Sequence, residues 1–104
     1  MVVSILSRKT SLRSEEEWRQ RLERARPRLL AHLQKQPGFV SVEFLWSDGG
    51  KMGEMTTWRS LEDCHRYIRE GAAALAATIA DAALPTAPYP DGTWLRQNYE
   101  VVEG

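Results

Sequence analysis

The side chains with most chemical reach in this 104-residue chain are His32, His65, Cys64, three tyrosines and Asn98. An imidazole is the one side chain that titrates unaided near neutral pH, so His65 is the first candidate for a general base. At 100° per residue it falls about 65° from the centre of the apolar stripe of its helix. From there it either reaches a pocket or marks the boundary of the buried face. Cys64 precedes it directly, and adjacent residues on a helix point about 100° apart, so the two do not form a nucleophile–base pair. A buried structural thiol is the simpler reading of Cys64. His32 lies at the edge of an earlier helix's stripe without a partner nearby in sequence and takes no role. Two histidines and one cysteine at these positions match no metal-ligand spacing, and no metal is expected.

Trp58 stands at a strand end just before a helix, where an indole can wall a cleft and pack on a flat ring. The alternative is a core residue that locks strand to helix. In the C-terminal TWLRQNYEVV, Trp94, Arg96, Asn98 and Glu100 fall on one side of a strand and Leu95, Gln97, Tyr99 and Val101 on the other. Either side can line a pocket, where Asn98 as a catalytic group or Tyr99 as a binding group would orient a phenolic oxygen and steady an enolate-like charge. Equally, this is an ordinary edge or interface strand. Tyr67 on the second helix is a further substrate-binding candidate. Tyr89 sits in a proline-rich loop long enough to serve as a lid. Trp18, Trp46 and Trp94 read as core or interface residues.

These groups need elements to hold them. Val2 to Arg8, rich in β-branched residues, reads as a strand. Ser14 opens a helix with the capping box SEEE. Trp18, Leu22, Ala25, Leu29 and Leu33 make its apolar stripe, with Pro27 about opposite, bending the helix rather than breaking it. Pro37-Gly38 ends it. Phe39 to Ser47 alternates as a strand, with Val40, Val42, Phe44 and Trp46 on one face. Asp48-Gly49-Gly50 turns the chain, and Lys51 to Trp58 returns. Ser60 caps the second helix through SLED; Leu61, Cys64, Ile68, Leu75 and Ile79 share its face, with Gly71 a weak point. The stretch 84–92 holds three prolines and is irregular, and Thr93 to Val102 is the last strand. The order β-α-β-β-α-β specifies an α+β, ferredoxin-like subunit: a four-stranded antiparallel sheet with two helices on one face. Two helices leave the other face greasy, with Leu95 and Tyr99 upon it, so a second copy is expected to cover it.

The totals bound the partners. One domain of this length buries little more than ~60% of its unfolded surface, which also favours a homodimer. Fourteen basic and fourteen acidic residues cancel, removing the electrostatic case for nucleic acid or an anionic membrane. A single cysteine forms no internal disulfide, VVSILSRK is too short for a signal-peptide core, and no apolar run approaches the ~20 residues of a span. A cytoplasmic protein is expected.

Pro37-Gly38-Phe39, the hairpin, and TTW followed by RSLEDC together resemble the antibiotic-biosynthesis-monooxygenase family, whose members are dimeric α+β barrels. The resemblance covers nearly the whole chain in element order; its sequence-specific part is Pro37-Gly38-Phe39 and Trp58-Arg59-Ser60. It implies a homodimer, a pocket between sheet and helices and, in some members, cofactor-free oxidation of polycyclic phenols by O₂. Members that degrade heme hold iron through a histidine expected here at about Ala77, so heme is not expected and no cofactor is assigned. The leading expectation is therefore an enzyme acting on an aromatic or polyketide-like molecule, with His65 and Asn98 catalytic and Trp58, Tyr67 and Tyr99 binding. A non-enzymatic ligand-binding or regulatory dimer is the alternative. An isomerase or decarboxylase using His65 as base is a third.

Overall fold

Local chemistry sets the ends of most elements. The computed structural model describes residues 1–9, 14–71 and 95–103. Its elements are β1 (Val2–Lys9), α1 (Glu15–Gln34), β2 (Phe39–Trp46), β3 (Lys51–Trp58), α2 (Leu61–Glu70) and β4 (Leu95–Glu100). Ser14 caps α1 by accepting from the Glu17 amide at 3.2 Å. Ser60 caps α2 by accepting from the Asp63 amide at 3.1 Å. Gly38 takes a left-handed φ of 78°, and a side chain there would collide with Asp63. The turn after α1 is thereby interlocked with the first turn of α2, which only glycine permits.

The strands form one antiparallel sheet ordered β2-β3-β1-β4, the ferredoxin-like arrangement expected. α1 buries the five residues of its anticipated stripe, Trp18, Leu22, Ala25, Leu29 and Leu33. They pack with Val42, Phe44 and Trp46, and Trp18 stacks on Trp46 at 5.5 Å. Pro27 is exposed within α1. The β2 alternation needs one correction. A register shift between Phe39 and Ser41 turns Val40 out to solvent, while Phe39 joins the core against Trp58. A bulge of this kind swaps the facing of every residue beyond it.

Pairing places three rows across the helix-covered face: Phe44–Glu54–Leu6–Arg96, Val42–Thr56–Ser4–Asn98 and Phe39–Trp58–Val2–Glu100. The opposite face carries Val3, Ile5 and Met55 half-buried, with Leu45, Leu95 and Tyr99 exposed. No helix among the described residues is long and apolar enough to cross a membrane. The stretch 84–92 with Tyr89, and Leu75, Ala77, Ile79 and Trp94, lie outside the described residues.

Candidate functional site

The α2 helix meets the sheet through Cys64 and Tyr67, its buried residues. Tyr67 stacks on Trp58 with ring centroids 4.7 Å apart and planes at 26°. Phe39 meets the same indole edge-on at 5.7 Å. Trp58 has no solvent-exposed surface, and its Nε1 donates to Thr56 Oγ1 at 2.8 Å. The indole therefore locks β3 to α2; it presents no free ring to a substrate in this state, contrary to the cleft wall expected of it.

Beneath α2 the sheet is polar. Ser4 Oγ donates to Asn98 Oδ1 at 2.6 Å and accepts from Arg96 Nη1 at 2.8 Å. The Cys64 thiol lies 3.9 Å from the same Asn98 oxygen. Thr56 Oγ1 reaches the Ser4 carbonyl at 3.4 Å. Arg96 Cζ sits 5.8 Å from the centre of the Tyr67 ring, close enough for a cation–π attraction. Glu54 faces the same space from β3 and is buried. Among the described residues the Tyr67 hydroxyl is buried without a hydrogen-bond partner.

Desolvation dominates the electrostatics. Burial raises the Glu54 carboxyl to about 7, with Arg96 pulling the other way. It also holds the Tyr67 phenol and the Cys64 thiol protonated, raising both above their ordinary values. The negative charge of Glu54 adds to the effect on Tyr67. A buried titratable carboxyl and a buried neutral phenol thus stand beside a half-buried cation, with the Asn98 amide at the exposed edge of the group. Such a set can receive a proton and steady an oxyanion.

Of the five expected site residues, Trp58, Tyr67 and Asn98 come together here. Tyr99 does not: it stands on the opposite sheet face, where its hydroxyl donates to Gln97 at 2.8 Å. His65 does not either. It is exposed on α2, because Tyr67 and Gly71 belong to the buried side and Leu61 does not. Counting them moves the centre of that side about 125° from His65. His32, assigned no role, has a structural one: its Nε2 lies 2.8 Å from the Gly71 carbonyl, tying α1 to the end of α2. A carbonyl only accepts, so that nitrogen carries the hydrogen. At Gly71 a Cβ would come within 2.7 Å of the Tyr67 ring and 2.8 Å of Gln36 Oε1, so glycine permits the approach.

Glu54 and Ser4 were missed, and Arg96 was read only as one polar group of the last strand. The available signal was register: in KMGEMTTW, Glu54 shares a face with Met52 and Trp58. A separate open groove of about 610 Å³ runs along β2 and α1, between Trp18, Trp46, Phe44, Arg19 and Arg26. It lies apart from the polar cluster.

No protein-family model matches the chain, and no curated protein matches its sequence. Solved structures do match its fold. One is a Streptomyces coelicolor monooxygenase from ActVA-Orf6 in complex with nanaomycin D; TM-score 0.70, 13% identity, covering 99% of this chain and 88% of that one. Another is SnoaB, a cofactor-independent oxygenase from Streptomyces nogalater; TM-score 0.62, 17% identity, covering 99% and 95%. A third is an MhuD variant with two manganese protoporphyrin IX per active site; TM-score 0.64, 20% identity, covering 100% and 97%. The chain shares its ferredoxin-like fold with all three.

Proposed function

We propose that this chain is a cytosolic, homodimeric member of the antibiotic-biosynthesis-monooxygenase family. In this reading it oxidises an aromatic, polyketide-like molecule with O₂ and no cofactor. The observation that carries this reading is the cluster beneath α2 of buried Tyr67 and Glu54 with half-buried Arg96 and, at its exposed edge, Asn98, on a fold shared with two oxygenases. The reaction asks little of a protein. A substrate that loses a proton becomes an electron-rich enolate, and that enolate can reduce O₂ directly. The site must exclude water, hold the ring and steady the negative oxygen. Arg96 supplies positive charge, and the Tyr67 hydroxyl and Asn98 amide supply donors. Trp58 fixes Tyr67 from behind.

The open sheet face completes the reading. Ile5, Met55, Leu45, Leu95 and Tyr99 form an apolar surface that a second copy would cover, which gives Tyr99 an interface role. Sedimentation tests this part: Leu95→Lys is expected to move a dimer towards monomer, and a wild-type monomer at micromolar concentration would refute it. For the chemistry, oxygen uptake with anthrone and related polycyclic phenols is expected in wild type and His65→Ala. It is expected to fall in Tyr67→Phe and Asn98→Ala. No uptake across the panel removes the oxygenase reading.

A second reading, a ligand-binding or regulatory dimer, draws on the complete cover of the Trp58 ring. Tryptophan quenching by the same compounds without oxygen consumption would favour it.

A further inference from the structure

We infer that Glu54 is the proton acceptor of this site, the group that takes a proton from a bound phenol or enolisable ketone. This inference rests on the oxygenase reading of the same cluster and supplies the base that His65, on the exposed side of α2, does not.

Glu54 lies on β3, between β2 and β1, in register with Phe44 on one side and Leu6 on the other. Both flanking residues are apolar. A carboxylate placed among such neighbours is costly unless it is paired. Among the described residues Glu54 has no hydrogen bond or ion pair; its electrostatic neighbours are Arg96 and Tyr67. Arg96 stands in the same row with Leu6 between them. Strand spacing of about 4.8 Å puts their backbones about 10 Å apart. The guanidinium instead donates to Ser4, so the carboxylate is left available while sharing one cation's field.

That arrangement favours transfer to Glu54 over release to water. When the substrate's C–H or O–H bond breaks, its bonding pair stays on the substrate as the enolate, and the proton forms a new O–H bond on the carboxylate. One negative charge moves from Glu54 to the substrate, and the sum beside Arg96 is unchanged. Release of the proton to solvent would leave two negative groups beside Arg96 in a poorly solvated space. The enolate's electrons are then what O₂ withdraws.

Among the described residues no neighbouring group competes for this role. From α2 the facing titratable groups are Tyr67 and Cys64, both held protonated by burial. From β4 there is Arg96, and from β1 Arg8 lies two positions beyond Leu6 on the same side. The buried side of α1 is apolar throughout. Glu54 alone in this set titrates near neutrality.

The experiment adds anthrone to the full-length protein without oxygen, follows its enolate by visible absorbance across pH, and then admits O₂. Binding is read in parallel by tryptophan quenching, and folding by circular dichroism. Wild type is expected to form the enolate with a midpoint near pH 7. Glu54→Gln is expected to bind anthrone comparably while losing about 10²- to 10⁴-fold in enolate formation and oxygen uptake. Glu54→Asp, which keeps the acid but withdraws it, is expected to lose part of the rate and keep the pH dependence. A folded Glu54→Gln that ionises anthrone like wild type overturns the inference, as does a wild type that binds anthrone yet never ionises it. Enolate formation without oxygen uptake would sustain Glu54 and sink the oxygenase reading. Failure of wild type to bind anthrone would overturn both.

Discussion

The two helices cover the same sheet face by different physics. α1 meets it with Trp18, Leu22, Ala25, Leu29 and Leu33, against Val42, Phe44 and Trp46. α2 meets it with a thiol and a phenol over Ser4, Thr56, Glu54, Arg96 and Asn98. Burial of apolar surface stabilises the first contact at roughly 25 cal/mol per Å². The second includes a desolvated carboxyl and a hydroxyl without a partner among the described residues, features that cost stability. Stability and chemistry are thus segregated to opposite flanks of one layer, and the α2 flank is where function resides in this reading.

Four substitutions test that division, and the largest effect belongs to the α1 flank. Leu29→Ala is expected to lose about 2–5 kcal/mol in denaturant titrations, because Leu29 is only 2% exposed. Oxygen uptake per folded molecule should not change. If it falls tenfold, the flanks are not separate.

Glu54→Gln comes next, with a sign that depends on pH. The carboxyl ionises near 4.5 when unfolded and about 7 when folded. Below the unfolded value both states are protonated and the carboxyl costs nothing. As pH rises through the window to about 7, the unfolded chain ionises first, so wild-type stability declines and then levels off. Glutamine does not titrate. The variant is therefore expected to gain up to about 3 kcal/mol over wild type at pH 8, and far less at pH 4. An equal difference at both pH values would show that the carboxyl is not desolvated.

Ser60→Ala removes the cap of α2 and is expected to cost about 1 kcal/mol in thermal melts. Loss of the cap's bond to Asp63 lies outside the polar cluster, so the effect should be independent of pH near 7. Tyr67→Phe is the smallest. Its hydroxyl lacks a described partner, so stability is expected to stay within about 1 kcal/mol of wild type, with any change upward. A loss of several kcal/mol would mean that the hydroxyl is satisfied and the α2 flank is more ordinary than argued.

The α1 flank was legible in the residues because it obeys one period. Trp18 through Leu33 fall on a single stripe, and the caps at Ser14 and Ser60 announce themselves by side-chain chemistry. The α2 flank breaks that agreement. Period-2 alternation says that Met52, Glu54, Thr56 and Trp58 share a side, yet their mixed polarity does not say which side is covered. Only pairing between β1 and β3, and between β1 and β4, brings Glu54 and Arg96 into one row. The position of His65 on the outer side of α2 has a related cause. Tyr67 belongs to the core, and an apolar face drawn without it points the inner side of the helix towards His65. The shift in β2 at Phe39 and Ser41 follows directly on Gly38, a glycine that already reads as the exit of α1, so nothing within the strand itself marks the bulge.

The paired indoles of Trp18 and Trp46, 5.5 Å apart and inclined by 29°, give the molecule an optical gauge of its own. Chromophores that close share excited states, so their transitions split into a signed pair of bands in ultraviolet circular dichroism. That doublet reports whether the first helix is seated on the edge strand. Trp58, coupled instead to a tyrosine, reports on the other helix through its emission. Watching both signals during unfolding would reveal whether the flanks let go together or in turn.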